Sequence, residues 1–493
     1  MNIRALLSLL LDAVRLPFRR SHPADSLSTD AGRRKSELHG LAGEVTRGLA
    51  SMKVRTLLRR GNREEVEREA LERLTKQVVA NLGQMKGLTM KLGQQMSYVN
   101  ALPEDAEREL AALQASAPAL EEAQLDALLH QVFGQKLSKV FKEFDRTPIA
   151  AASIGQVHRA QLPDGRWVAV KLQYPGVDQA MQADLENLEE LTALSTMTMK
   201  ADMGEYTRSL NESLMRELDY VAEQRNQQRL ADLYRGHPFV LVPETVPELC
   251  GPTVLVTELV DGKNLYAAND SADQDQRDRW GEIMYRFAFG CVTSGFFSGD
   301  PHPGNYLFPA DGRVAFLDFG MVIELKERAQ RGAIAQVIAG ALAGEPSILA
   351  DGLRRVGMLP AGSDPKAVWK ELEPLVAGPI AGGPVRLDRN WHKVAVDEVN
   401  KNQKSSALAN ALTKSPELKA WTLLWLRYSL GALATISKFE PEVDWRQVLL
   451  EMVTGAEPVG EVGAGWGDAP GGHLYRGSQF AVPGVKASKA RAS

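Results

Sequence analysis

The sequence predicts an α+β protein in which helices come first, a small sheet follows, and a mostly helical lobe comes last. Apolar residues recur at helical spacing before residue 133, alternate as in strands across residues 157–172, and return to helical spacing up to residue 453. Of the 493 residues, 44% are hydrophobic and 24% are charged, which is the composition of an ordinary globular protein.

Composition and pattern divide the chain into five segments. They are a basic amphipathic segment with a linker (1–45), a helical extension (46–145), a lobe with the sheet and an inserted helix (146–260), a helical lobe (261–454) and a tail (455–493). Because glycine makes up nine of the thirty residues after Thr454, the tail is predicted to be disordered.

The first twenty residues predict a short amphipathic helix. One face is polar and largely basic and the other is apolar, formed respectively by Arg4, Ser8, Asp12, Arg15 and Arg19 and by Leu6, Leu7, Leu10, Val14 and Phe18. Such a helix either lies in a membrane interface or docks on its own protein, and both alternatives stay open. A cleaved signal peptide is not expected, since Asp12 and Arg15 interrupt its apolar region.

Charge and cysteine content exclude several classes of protein. A net charge of −4 gives no general attraction for nucleic acid, so no nucleic-acid partner is expected. Cys250 and Cys291 cannot build a disulfide framework, and without HExxH or CxxC spacing no structural zinc is expected. The longest apolar run, Trp421–Ile436, contains Arg427 and is predicted to be a buried helix, so no transmembrane helix is expected.

Changes in the spacing of apolar residues predict the secondary structure around the sheet. Val157 and the run Trp167–Leu172 are predicted to pair as a hairpin across a Pro163-Asp164-Gly165 turn. The further predicted elements are helices over 177–200, 205–233 and 324–342 and strands over 239–242, 253–256 and 314–317.

A lysine on a predicted strand and a glutamate on a predicted helix form the first candidate pair. Lys171 ends the apolar run Val168-Ala169-Val170, and a buried lysine needs a phosphate or a carboxylate as its partner. Glu223 is the expected carboxylate, on the helix predicted to contain Glu217, Asp219 and Tyr220 as well.

Two loops of the helical lobe carry oxygen ligands. The turn Asp300-Pro301-His302-Pro303-Gly304-Asn305 is stiff because its prolines fix φ, and His302 is predicted to stabilise it rather than bind a ligand. Asp318-Phe319-Gly320 follows the apolar strand thirteen residues after Asn305. A carboxylate and an amide oxygen from two loops suit Mg²⁺.

Together these motifs follow the order of the protein-kinase signature: strand lysine, helix glutamate, Asp-x₄-Asn and Asp-Phe-Gly. They predict a kinase-like fold with 146–260 as the N-lobe and 261–454 as the C-lobe. The glycine-rich loop is replaced by Ala150-Ala151-Ala152-Ser153, Ser298-Gly299 stand where an arginine usually precedes the aspartate, and no Ala-Pro-Glu string occurs. Phosphorylation of a protein substrate is therefore the least favoured function.

With Lys91-Leu92-Gly93-Gln94 and Glu217-Leu218-Asp219, these motifs resemble the UbiB/AarF family of atypical kinases, which is associated with ubiquinone biosynthesis. The resemblance implies that the helix with Lys91 and Gln94 (the KxGQ helix) folds over the nucleotide site, where Lys91 meets Glu217 and Asp219. On an ideal helix the two carboxylates point about 200° apart, so both face Lys91 only if that helix begins or distorts there. The usual His-Ala before the aspartate is Ser298-Gly299 here.

The resemblance also implies how ATP is bound. Lys171, paired with Glu223, would hold the α and β phosphates, and the backbone of Glu258, Leu259 and Val260 would meet adenine. The alanine-rich loop 150–153 implies restraint of ordinary kinase behaviour in favour of ATPase-like chemistry.

The remaining implied residues act on the phosphoryl group. Asn305 and Asp318 would ligate Mg²⁺, and Asp300 would orient or deprotonate an acceptor hydroxyl or water. The expected function is an ATP-dependent kinase or ATPase that supports quinone synthesis or lipid-linked metabolism. The alternative is a nucleotide-gated scaffold for quinone-synthesis enzymes. Either is expected in the cytoplasm, and contact with the inner face of a membrane is one of the two alternatives left open for the N-terminal helix.

Overall fold

The computed structural model describes residues 119–152, 154–182, 215–298, 300–388 and 420–468. Several predicted features lie outside these residues, namely the N-terminal amphipathic helix, Lys91, Gln94 and Ser153.

Thirteen strands occur in the described residues. They are β1 (Glu143–Phe144), β2 (Ala150–Ala152), β3 (Gly155–Gln161), β4 (Trp167–Gln173), β5 (Val240–Leu241), β6 (Val254–Glu258), β7 (Lys263–Asn264), β8 (Phe296–Ser298), β9 (Tyr306–Phe308), β10 (Val314–Phe316), β11 (Val322–Glu324), β12 (Val385–Arg386) and β13 (Glu442–Val443).

Helices fill most of the remainder of the described chain. They are α1 (Glu122–Phe133), α2 (Leu137–Val140), α3 (Tyr220–Tyr234), α4 (Leu265–Ser271), α5 (Gln274–Ser294), α6 (Arg328–Ala343), α7 (Pro346–Arg355), α8 (Pro365–Ile380), α9 (Ala420–Ile436), α10 (Trp445–Thr454) and α11 (Gly460–Asp468). The mixture confirms the predicted α+β class.

Two compact units make up the described chain. The first contains the residues up to Gln224 together with Thr245–Leu259, and the second contains Arg225–Glu244 and the residues from Val260 onward. The boundary between them falls inside the helix α3, after its first five residues.

The first unit is built on an antiparallel sheet in the order β1-β3-β4-β6, with β2 paired to β3. Val168, Val170 and Leu172 alternate along β4 and are at most 1% exposed, because successive side chains point to opposite faces of a strand. Lys171 therefore lies on the other face. The β3–β4 hairpin confirms the predicted pairing, and Gly165 takes the positive φ of its turn.

The second unit is organised around α5. Its buried positions Trp280, Ile283, Met284 and Phe287 recur at helical spacing within one hydrophobic core. A four-stranded sheet in the order β5-β10-β9-β7 packs into the same core, as do the larger helices of this unit. The described part of residues 261–454 contains seven helices and a 3-10 turn at each of two sites, together with seven short strands.

One predicted helix begins later than its apolar pattern indicated. The prediction started it at Glu324, but residues 322–324 form strand β11, which pairs antiparallel with β8. Helix α6 begins at Arg328, where Glu327 and Gln330 form a capping box. A three-residue strand is too short to show a period, so the pattern merged it with the helix.

The predicted disorder of the glycine-rich tail was wrong for its first part, because helix α11 covers Gly460–Asp468. Val462 and Trp466 lie one turn apart and are 4% and 1% exposed. The glycines here permit close packing: a Cβ on Gly465 would lie 2.8 Å from the Phe239 ring. Residues from 469 onward lie outside the described part.

The apolar run at Trp421–Ile436 is a helix, as predicted, and α9 packs on the core of the second unit. Among the described helices, none combines the length and the apolar character that a membrane crossing requires.

Candidate functional site

Lys171 and Glu223 form the predicted ion pair in the first unit. The ammonium Nζ donates to both carboxylate oxygens, at 2.7 Å to Oε1 and 3.0 Å to Oε2. The Glu223 side chain is 2% exposed and that of Lys171 is 20% exposed. Nζ also lies 4.8 Å from the centre of the Tyr220 ring. The carboxylate thus holds the lysine at the end of β4 with one side still reachable from solvent.

The helix that carries Glu223 is shorter than predicted, because α3 begins at Tyr220 and Glu217 and Asp219 precede it. The Asp219 carboxylate accepts the Ala222 backbone N–H at 2.8 Å, as an N-terminal cap does. An ideal helix running through Glu217 and Asp219 is therefore wrong. Because the helix does not run through both residues, their carboxylates need not point in opposite directions. Lys91, their expected partner, lies outside the described residues.

The alanine-rich segment forms strand β2 beside β3. Ala150 pairs with Val157, Ala151 with Gln156 and Ala152 with Gly155. The remaining glycine has a packing role, since a Cβ on Gly155 would lie 2.2 Å from the Leu172 carbonyl oxygen on β4. The backbone beside Lys171 is thus held by strand pairing.

The segment predicted to meet adenine follows from strand β6. Glu258 pairs with Val168, and the Leu259 N–H donates to the Trp167 carbonyl at 3.1 Å. Because the sheet uses the Leu259 N–H, a ligand here would have to use other backbone groups, such as those of Val260.

The Asp300–Asn305 turn of the second unit is held by Asn305. Its side-chain amide nitrogen donates to the Asp300 carbonyl at 3.1 Å, and its backbone N–H donates to the His302 carbonyl at 2.9 Å. His302 Nδ1 accepts the Gly304 N–H, which confirms the predicted turn-stabilising role. With its nitrogen directed at Asp300, Asn305 keeps its amide oxygen as an acceptor for another group.

Asp318 is tied to the same region. Its Oδ1 accepts the Gly320 N–H at 3.0 Å, and the preceding N–H, of Leu317, donates to the Asn305 carbonyl at 3.0 Å. The second unit therefore brings the loops of Asn305 and Asp318 together, as the sequence predicted.

Three polar residues to which sequence analysis gave no role support these loops. The Ser298 hydroxyl accepts the Asp300 N–H and donates to the Asp318 carbonyl at 3.3 Å. Asn226 on α3 donates to the Phe319 carbonyl at 3.1 Å. The Thr435 hydroxyl donates to the Pro301 carbonyl at 2.7 Å. The helical spacing between Glu223 and Asn226 was a usable signal, whereas nothing in the sequence marks Thr435.

The charge of Asp300 affects the pKa of Tyr306, the residue that follows this turn. Burial raises the pKa of the Tyr306 hydroxyl above its usual range, and the nearby Asp300 carboxylate raises it further. Tyr306 therefore stays neutral at physiological pH.

The oxygen atoms fit a magnesium ion that arrives with a nucleotide. No group of three or more His, Cys, Asp or Glu side chains forms a metal site within the described ranges. Mg²⁺ is commonly held by one or two protein oxygens together with phosphates and water. Asp318 and the amide oxygen of Asn305, both in the second unit, match that donor set.

Comparison with known proteins finds a family model and relatives that resemble part of this chain. Residues 112–348 match the ABC1 atypical kinase-like domain. The uncharacterized protein slr0889 of Synechocystis is 33% identical over 258 residues, which cover 49% of this chain and 63% of that protein. The chloroplastic protein ACTIVITY OF BC1 COMPLEX KINASE 3 of Arabidopsis thaliana is 35% identical over 256 residues, covering 50% and 36%. The chain thus matches less than two thirds of the length of either relative.

A solved structure is also similar to this chain. Rv3197 from Mycobacterium tuberculosis, in a complex with erythromycin, is 28% identical with a TM-score of 0.58. The match covers 79% of this chain and 98% of that chain. It therefore extends well beyond the residues of the family match.

Proposed function

Because residues 112–348 match the ABC1 atypical kinase-like domain, we propose that the chain belongs to that family and is an Mg²⁺-dependent ATPase or phosphotransferase. This family is the one that the sequence motifs indicated as UbiB/AarF. The observation that carries the proposal is the Lys171–Glu223 pair, which joins residues 52 positions apart at 2.7 Å.

Lys171 binds the α and β phosphates of ATP in this proposal. Glu223 fixes the ammonium group in place, so the lysine acts as a preorganised positive charge and not as a mobile surface side chain. The backbone at Val260 contacts adenine, because the neighbouring Leu259 N–H is committed to the sheet.

Asp318 and Asn305 hold the magnesium ion. When bound, Mg²⁺ neutralises negative charge on the phosphates. Because its amide nitrogen donates to the Asp300 carbonyl, Asn305 would use its amide oxygen to hold the ion. Lys91 and Gln94 are proposed to restrict access to this site from the N-terminal helices, with Glu217 and Asp219 as the partners of Lys91.

Asp300 orients the acceptor, which is water in an ATPase and a substrate hydroxyl in a phosphotransferase. The acceptor oxygen bonds to the γ phosphorus as the bond to the β-γ bridging oxygen breaks, and ADP leaves with that oxygen. Asp300 takes the proton that the acceptor loses.

The biological role proposed for this activity is support of isoprenoid-quinone or other lipid-linked metabolism at a membrane surface. It rests on the family resemblance and on the amphipathic pattern of the first twenty residues. Quinone-synthesis enzymes and anionic lipid are the proposed partners.

Hydrolysis of ATP by the purified full chain, with and without Mg²⁺ and anionic liposomes, tests the proposal. Asp318→Asn removes the metal-binding charge. Asp311→Asn is the matched control, since Asp311 lies in the turn before the same strand β10 and pairs only locally with Arg313. We expect Mg²⁺-dependent turnover that rises with liposomes, falls at least about a hundredfold in Asp318→Asn, and is unchanged in Asp311→Asn.

Equal turnover in the two variants would overturn the metal assignment. Nucleotide binding without turnover in the wild-type protein would favour the nucleotide-gated scaffold. Absence of both would contradict the nucleotide site itself.

A further inference from the structure

The backbone of the Asp300 turn depends on its carbonyl groups. Pro301 and Pro303 have no N–H to donate, so the turn is held mainly through acceptors. Three successive carbonyls each accept a hydrogen bond: those of Asp300 and His302 from Asn305 within the turn, and that of Pro301 from Thr435.

Thr435 reaches the turn from a distant part of the chain. It lies in the last turn of α9, is 2% exposed, and donates to a residue 134 positions earlier at 2.7 Å. A helical threonine hydroxyl ordinarily bonds back to a carbonyl of its own helix. Here the hydroxyl instead joins α9 to the peptide that directly follows Asp300.

We propose that Thr435 is a positioning residue for Asp300: by holding the Pro301 carbonyl, it sets the orientation of the carboxylate toward the acceptor. The inference rests on the proposed function, because it assigns Asp300 to acceptor activation. It also gives the last turn of α9, which lies beyond the family match that ends at residue 348, a part in positioning Asp300.

The same helix provides a matched control. Thr422, in the first turn of α9, is 1% exposed, and its hydroxyl donates to the Val356 carbonyl at 2.6 Å. Thr422→Val and Thr435→Val each remove one buried hydroxyl from one helix and keep the side-chain shape. They differ in that only Thr435 contacts the Asp300 turn.

Steady-state kinetics of the full chain with Mg²⁺ and ATP separates positioning from stability. We expect Thr435→Val to lower kcat about tenfold or more, because small displacements of reacting groups are costly, while KM for ATP changes less than about twofold. Thr435→Ser, which keeps the hydroxyl, should restore kcat. Thr422→Val should lower the melting temperature by as much as Thr435→Val but leave kcat unchanged.

Amide hydrogen exchange gives a second readout. Thr435→Val should speed exchange in the peptide that covers residues 300–306, and Thr422→Val should not. An active wild-type protein whose Thr435→Val variant keeps its kcat would overturn the positioning role and leave the proposed function standing. A wild-type protein without any turnover would overturn both the proposed function and the positioning role.

Discussion

Lys171 and Glu223 are charged residues that are costly to bury, and they form an ion pair. Each loses hydration in the first unit, and the two hydrogen bonds at 2.7 and 3.0 Å between them offset that loss. The same ion pair would be seen whether its role is structural or phosphate binding, but the two roles predict different effects of mutation on ATP binding.

Lys171→Met leaves the Glu223 carboxylate buried without its cation, so we expect the free energy of unfolding to fall by about 3 kcal/mol. Adding Glu223→Leu removes the stranded charge and should recover most of that loss. Denaturant unfolding measures both effects. ATP binding should be lost in the single and the double variant alike, and a double variant that regains ATP binding along with stability would show that the pair is structural.

At the scale of an element, the pairing of β3 with β4 requires Gly155. Gly155→Ala would place a Cβ 2.2 Å from the Leu172 carbonyl oxygen, and rigid backbone cannot yield as a side chain does. We expect the free energy of unfolding to fall by about 2 kcal/mol.

Gly251→Ala is the control for this variant. It lies in the same unit, and its Cβ would meet nothing closer than Val254 Cγ1 at 3.5 Å. Thermal melts of the two variants should therefore differ, with only Gly155→Ala destabilised. Equal melting temperatures would mean that β3 and β4 have room to separate.

Elements with a clear period were predictable from sequence, and so were the site residues that lie on them. The β3–β4 hairpin, with its apolar alternation and turn glycine, placed Lys171 correctly. The start of α3 was not predictable, because Asp219 ends one segment and caps the next within a single apolar pattern. The role of Thr435 could not be predicted for another reason: its partner lies 134 residues away, and no local pattern indicates that contact.

At the scale of the whole molecule, a buried histidine links stability to acid. His237 is 2% exposed, and its Nδ1 accepts the N–H groups of Phe239 and Val240 at 3.1 and 3.0 Å. Burial lowers the pKa of His237 from 6.5 to about 4. The unfolded chain therefore takes up a proton before the folded protein does as the pH falls.

The free energy of unfolding should thus be constant above about pH 6.5 and decline by about 3 kcal/mol as the pH falls toward 4. His237→Asn offers an oxygen to the same N–H groups and does not titrate, so its decline should be shallower. Denaturant unfolding across pH 4–7.5 measures the slopes. His158, whose pKa burial also lowers, leaves a residual slope in both proteins, and identical slopes would contradict the assignment to His237.

Binding of a magnesium nucleotide is the central claim, and calorimetric titration of the full chain with ATP, with and without Mg²⁺, tests it most directly. The wild-type protein should bind ATP more tightly with Mg²⁺ than without it. Asp318→Asn should keep the ATP affinity that is measured without Mg²⁺, which depends on Lys171. It should lose the increase in affinity that Mg²⁺ gives the wild-type protein. ATP binding that ignores Mg²⁺ in the wild-type protein, or no binding at all, would contradict the account.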